Sequence, residues 1–266
     1  MDGRLLGRTG LTVPTLGLGT VKLGRNRDVK YPQAFELPDD ATVAALLDAA
    51  LAEGVVLWDT APAYGIAEER LGPHVAKHRD RLVLCTKVGE DHGPEGSHHD
   101  FSARAVVSSL ERSLRRLRTD HVDVALIHSD GRDREILERT DVLEGLERAR
   151  REGKTRAIGI SAKTSEGVDH ARGCLDVVMA PVNPEAGAVL EALRRAREDG
   201  LGILGIKVFG QGHSLGADDA VERALRAALV DGPADCAVVG TRDPGHLREA
   251  AEAARKVMAH AGGGAS

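Results

Sequence analysis

The chain has 266 residues, 42% hydrophobic and 29% charged, enough to bury one sizeable core and suited to a single domain over residues 1–266. Its net charge of −5, with arginine and glutamate interleaved, leaves no basic stripe for nucleic acid and no polybasic patch for a membrane, so neither is an expected partner. MDGRLLGRTG lacks the apolar core of a signal peptide, and no apolar run reaches the ~18 residues of a spanning helix. Cys85, Cys174 and Cys236 form no CxxC pair, so the expectation is a soluble, cytoplasmic protein with reduced core thiols.

In chain order, RLLGRTGLTV forms two short runs around Arg8-Thr9-Gly10, which predicts a small N-terminal hairpin. Short apolar runs then follow at Thr15 to Thr20, Val55 to Asp59, Leu82 to Lys87, Val122 to His128, Ala157 to Ser161, Val177 to Val182, Leu201 to Lys207 and Ala237 to Gly240. Runs apolar on both faces are the pattern of strands in a parallel sheet. Between them lie amphipathic stretches with clear boundaries. Asp39 and Asp40 precede ATVAALLDAALAEG, which Gly54 stops; Ser102 caps ARAVVSSLERSLRRL; Asp141 opens VLEGLERARREG; Glu185 starts a helix running to Gly200; Pro244 opens the last one. Residues 262–266, GGGAS, form an expected flexible tail.

Strands alternating with helices predict right-handed βαβ units. Eight strands, and no Gly-x-Gly-x-x-Gly turn after the first, favour closure into a (β/α)8 TIM barrel over an open doubly wound sheet, with the hairpin plugging its bottom.

In such a barrel the active site forms at the carboxyl ends of the strands. Asp59 ends the second strand, Lys87 the third and His128 the fourth, while Tyr64 follows Asp59 in the loop APAYG. Singly, each has a plain structural reading: a rim ion pair for Asp59 and Lys87, a satisfied rim histidine, a tyrosine capping the core. Together they suit carbonyl reduction, in which the oxygen must gain a proton as its charge develops. A free phenol, with pKa near ~10, holds its proton too tightly, and a neighbouring ammonium makes it a better acid. Tyr64 is therefore the expected acid, Lys87 its activator and Asp59 the carboxylate balancing that charge, with His128 orienting the carbonyl or relaying the proton.

GLGT at 17–20, DTAPAYG at 59–65 with the following Glu-Glu-Arg-Leu-Gly, TK at 86–87, HVDVALIH at 121–128, AIGIS at 157–161, IKVFGQG at 206–212 and VVGTRDPGHLREA at 238–250 resemble the aldo-keto reductases in order and spacing. The resemblance covers almost the whole chain, and the family's catalytic tetrad falls on Asp59, Tyr64, Lys87 and His128. It implies NADPH as cofactor, with NADH possible, lying extended across the barrel mouth. The implied contacts are Gly19, Thr20, Asp59, Ser161, Met179, Ile206, Lys207, Val208, Phe209, Gly210, Gln211, Gly212, Gly240, Thr241, Arg242, His246 and Glu249. Among these, Arg242 is the candidate for gripping a 2′-phosphate.

Four positions depart from the family. Ala162 replaces an asparagine after Ser161, Met179 an amide side chain, and Ile206 the aromatic that stacks on the nicotinamide; His246 stands where an arginine is common. Val88 and Ser129 replace frequent tryptophans, which with a short C-terminus favours a small carbonyl substrate, and the expected assembly is a monomer or weak homo-oligomer. Residues 21–37, with Tyr31, are long enough for a lid or for a plain surface loop. GEDHGPEGSHHD, with Asp91, His92, His98, His99 and Asp100, is expected as a glycine-rich loop holding no metal. Two further functions compete: a dinucleotide-binding redox sensor without turnover, and an aldolase or isomerase using a Lys87 Schiff base.

Overall fold

The computed structural model describes residues 3–29, 35–210 and 219–262. Its strands are β1 (Gly3–Leu5), β2 (Thr12–Pro14), β3 (Leu16–Gly19), β4 (Leu57–Asp59), β5 (Val83–Val88), β6 (Glu90–Gly93), β7 (Gly96–His99), β8 (Val122–His128), β9 (Thr155–Ser161), β10 (Val177–Pro181), β11 (Gly202–Ile206) and β12 (Cys236–Gly240). The helices are α1 (Val21–Gly24), α2 (Asp40–Glu53), α3 (Ala67–His78), α4 (Ala103–Leu117), α5 (Asp133–Arg139), α6 (Val142–Arg151), α7 (Ser165–Ala171), α8 (Ala188–Glu198), α9 (Ala220–Leu229) and α10 (Pro244–Gly262).

Strands β3, β4, β5, β8, β9, β10, β11 and β12 close into a parallel barrel in that order, β12 pairing back onto β3. The sheet is the expected (β/α)8 barrel. Side chains alternate between its two faces, as strand geometry requires. Leu57, Cys85, Val124, Leu126, Ala157, Val177, Met179, Leu204, Cys236 and Val238 fill the interior. Their strand neighbours, among them Trp58, Leu84, Ala125, Ile127, Ile158 and Val178, face the helices in the larger outer core. Leu6, Leu11 and Val13 of the β1–β2 hairpin join the interior cluster, so the hairpin plugs the barrel as expected.

Local chemistry explains the helix ends. Asp39 accepts from Thr42 N at 2.8 Å and caps α2, which ends at Gly54 with φ 75°. Ser102 caps α4 by accepting from Ala105 N. At Glu185 the expectation was off: Asn183 caps a 3-10 turn over Pro184–Ala186, Gly187 reverses the chain, and α8 begins only at Ala188. Helix α10 includes Gly262, one residue of the expected tail; 263–266 lie outside the described residues. Among the described residues, no helix is long and apolar enough to cross a membrane.

The stretch expected as an open glycine-rich loop is a hairpin, β6–β7, in which Glu90 pairs with His99 and Asp91 with His98. Gly96, at φ 99°, permits its turn, and Ser97 Oγ donates to Glu90 Oε1 at 2.5 Å. Among the described residues, no three His, Cys, Asp or Glu side chains gather as a metal site, and His92 instead faces Asp28 at 3.1 Å.

Candidate active site

The two-residue period of the strands places the chemistry. Leu57 faces inward and Trp58 outward, so Asp59 returns to the interior face at the carboxyl end of β4. By the same alternation Cys85 leads to Lys87 on β5, and Leu126 to His128 on β8. These strands are neighbours in the barrel, so the three side chains converge. Tyr64 reaches them from a 3-10 turn over Pro62–Tyr64, which continues into α3.

Lys87 Nζ is the centre of the cluster. It donates to Asp59 Oδ1 at 2.5 Å, to the Thr60 carbonyl at 3.0 Å and to the Tyr64 hydroxyl at 3.0 Å. Its side chain is 1% exposed and that of Asp59 5%. Burial alone would push the Lys87 ammonium down, but Asp59, with Tyr64 and Cys85, more than offsets this and holds it above the ordinary lysine range. Lys87 is therefore a charged donor, which removes the nucleophilic amine that a Schiff-base mechanism needs.

His128 stands edge-on to the Tyr64 ring, with centroids 5.9 Å apart. Burial, and the nearby Lys87 charge, lower its pKa, while Glu90 and Asp59 oppose the shift. Its Nδ1 lies 2.7 Å from Glu90 Oε2, but the pair lacks hydrogen-bond geometry and Nδ1 is left as a buried nitrogen without a hydrogen-bond partner among the described residues. Glu90, the first residue of β6, was not recognised as part of the site in the sequence. Burial would raise its pKa, yet contacts with His128 and Ser97 and the proximity of His99 bring it down to about 2.

The residues expected to hold a cofactor are distributed around the mouth. Gly19 and Thr20 are buried at the end of β3, and Thr20 Oγ1 donates to the Asp59 carbonyl at 2.9 Å. Ser161 is level with both His128 and Met179 in the barrel register. Met179 is 1% exposed in the interior cluster, and Ile206 packs on that cluster from the end of β11. Lys207 adopts the left-handed backbone at φ 55°, with its carbonyl accepting from Asn183 Nδ2 and Gly210 N, both at 2.9 Å. Val208 is buried, and Phe209 partly buried, in the outer core. Gln211 and Gly212 fall outside the described residues, as does Tyr31. Gly240, Arg242, His246 and Glu249 are exposed, and Thr241 is partly so.

Arg242 is tied to the segment that leads from β3 into α2. Its Nη1 donates to the Glu36 carbonyl at 2.7 Å, and its guanidinium lies 5.0 Å over the Phe35 ring. Burial lowers the pKa of Lys22 on α1, and the Arg242 charge adds to this, so two cations share this end of the mouth. Lys22 could not be recognised before the fold was known, because only closure of the barrel brings β3 beside β12.

Fold and site together define a (β/α)8 barrel with a reactive cluster on three adjoining strand ends. The chain belongs to the aldo/keto reductase family, a family of oxidoreductases whose pattern matches residues 15–262. A putative aldo-keto reductase from Pseudomonas aeruginosa superposes with a TM-score of 0.86 at 41% identity, covering 96% of this chain and 95% of that one. D-threo-aldose 1-dehydrogenase from a Pseudomonas species is 29% identical over 76% of this chain and 68% of its own length. L-galactose dehydrogenase from Arabidopsis thaliana is 36% identical over 59% of this chain and 47% of its own. The chain thus spans between about half and about two thirds of the length of these two relatives.

Proposed function

We propose that the chain reduces aldehyde or ketone groups of small substrates to alcohols with NADPH, NADH being an alternative, and that Tyr64 is the proton donor. The observation that carries this reading is the single ammonium, Lys87 Nζ, shared between a buried carboxylate and the Tyr64 hydroxyl. When Tyr64 gives up its proton, negative charge develops on an oxygen 3.0 Å from that ammonium, which stabilises it. Asp59 keeps Lys87 protonated, so the stabilising charge is present before the reaction begins. His128 stands at the edge of the Tyr64 ring, where it can orient the substrate oxygen.

The residues at the mouth suit a dinucleotide. Lys22 and Arg242 bring two positive charges to one end, matching phosphate groups, and Ile206 offers an apolar surface at the end of β11. Lys207 in a left-handed conformation is the kind of backbone strain that gathers at binding sites. When bound, a dihydronicotinamide supplies the hydride. Ala162 and Met179 offer no side-chain amide, so Ser161, level with His128, is the polar side chain left to meet a carboxamide.

The test is oxidation of NADPH and NADH by the wild type and by Tyr64→Phe over a panel of small aldehydes and ketones. Cofactor binding is followed by cofactor fluorescence, because Trp58 faces the outer core. Turnover reduced at least ~100-fold in Tyr64→Phe, with binding retained, assigns the acid. Binding without turnover in the wild type favours the sensor, and absence of binding sinks the cofactor assignment.

A further inference from the structure

Glu68 is a fully buried carboxylate that the proposed reaction does not employ. It lies in the first turn of α3, just after the turn that bears Tyr64. Lys87 faces the barrel interior, so Thr86 beside it faces the helices, where its Oγ1 donates to Glu68 Oε1 at 2.8 Å. On the other side, Arg116 Nη1 of α4 meets Glu68 Oε2 at 3.4 Å. Glu68 thus joins the helix that follows Tyr64 to the strand that carries Lys87. Among the described residues, no other side-chain hydrogen bond runs from α3 to β5.

The two members of the Tyr64–Lys87 contact are held in different ways. Lys87 is fixed by the sheet, because β5 is paired on both edges, with β4 and with β8. Tyr64 lies outside the ladder, on a turn that passes through Gly65 at φ 62° into α3. The 3.0 Å between its hydroxyl and Lys87 Nζ therefore depends on where α3 sits on β5. Apolar contacts of Leu71 and Val75 hold α3 to the core, but such contacts are non-directional. A hydrogen bond sets both a distance and an angle.

We propose that Glu68 is a positioning residue: through Thr86 it sets the place of α3 on β5, and so holds the Tyr64 hydroxyl within hydrogen-bond reach of Lys87. This rests on the reading of Tyr64 as the proton donor. Helix α4 backs the arrangement. A Cβ on Gly72 would lie 2.3 Å from the Arg116 carbonyl oxygen, so the backbones of α3 and α4 approach closely, and Arg116 divides its charge between Glu68 and Glu69. Burial raises the Glu68 pKa, while Thr86, nearby Ser113 and Arg116 oppose the shift.

The experiment removes the hydrogen bond without stranding a partner. Glu68→Met combined with Thr86→Val replaces both groups by apolar side chains of similar length, so the double variant should fold with a Tm near that of the wild type. Glu68→Gln is the conservative control, because its amide oxygen still accepts from Thr86. One readout is turnover of the carbonyl panel. The other is tyrosinate absorbance of the cofactor-free protein against pH, with Tyr64→Phe separating the Tyr64 signal from that of Tyr31. The double variant should lose about tenfold or more in kcat, with KM for the cofactor within about twofold. Its Tyr64 titration should move to higher pH, because the ammonium that favours the phenolate has moved away. Lys87, Asp59 and His128, the titratable groups around Tyr64, are all retained. Glu68→Gln should keep kcat within about threefold and leave the titration in place. Thr86→Val alone, which leaves Glu68 with Arg116, should move both readouts in the same direction by less.

An unchanged kcat and Tyr64 titration in the double variant, or in Thr86→Val should the double variant not fold, overturns the proposal. So does Glu68→Gln impaired as severely as the double variant, since charge rather than the hydrogen bond would then matter. A shifted titration in a protein that turns over no member of the panel would sustain the role of Glu68 and sink the reductase reading, so the two failures are separable.

Discussion

Replacing Asp59 by Asn removes a carboxylate 2.5 Å from an ammonium whose side chain is 1% exposed. Breaking a buried pair from one side strands the other charge, and this costs about 3–5 kcal/mol. Replacing both partners with neutral groups costs less, since nothing is left unpaired. Urea unfolding should therefore show a larger loss in Asp59→Asn than in the Asp59→Asn, Lys87→Met double variant. Equal losses would place the cost in packing rather than in the stranded charge. Both variants should be nearly inactive, because each removes the charge arrangement beside Tyr64. At this scale the sequence was informative wherever a polar residue ended an apolar strand: Asp59, Lys87 and His128 could be named because alternation leaves an inward-facing polar side chain few roles other than chemistry. Glu90 could not. It begins a hairpin with no apolar alternation, and its meaning depends on a contact with a residue 38 positions away, from Glu90 to His128.

Among the elements, α1 and the Tyr64 turn show how a glycine can control a catalytic side chain at one remove. A Cβ on Gly24 would lie 2.2 Å from the Tyr64 carbonyl oxygen and 2.2 Å from Ala67 N, both backbone atoms that cannot swing aside. Gly24→Ala must therefore push α1 and the turn apart, carrying the phenol away from Lys87. A misplacement near 1 Å can cost about 100-fold in rate, so kcat should fall by that order while cofactor affinity changes little. A kcat within about twofold of wild type would show that the turn is set by α3 instead. None of this was visible in VKLG, because the constraint is an approach between two backbones rather than a motif. The barrel strands, by contrast, were legible to within a residue or two, since a strand buried on both faces must be apolar throughout. The segments misjudged were those shaped by single turns: the break at Gly187 ahead of α8, and the β6–β7 hairpin.

Across the whole molecule, the barrel separates stability from chemistry by its two ends. The carboxyl ends of the strands carry Asp59, Lys87 and His128, and the opposite end is closed by the β1–β2 hairpin. Leu6 is fully buried there, and the hairpin is anchored by Arg8 N donating to the Gly200 carbonyl at 2.8 Å. Beyond it the barrel interior is filled by Leu57, Cys85, Val124, Leu204 and Cys236, layers that keep the two ends apart. Truncating Leu6 to alanine opens a cavity in the plug and should cost roughly 2–5 kcal/mol, lowering Tm. The plug touches no residue of the Lys87 cluster, so kcat and KM, measured well below the new Tm, should stay within about twofold of wild type. A variant that keeps its Tm but loses turnover would mean that the packed interior transmits strain from plug to mouth, and that the two ends of the barrel are coupled.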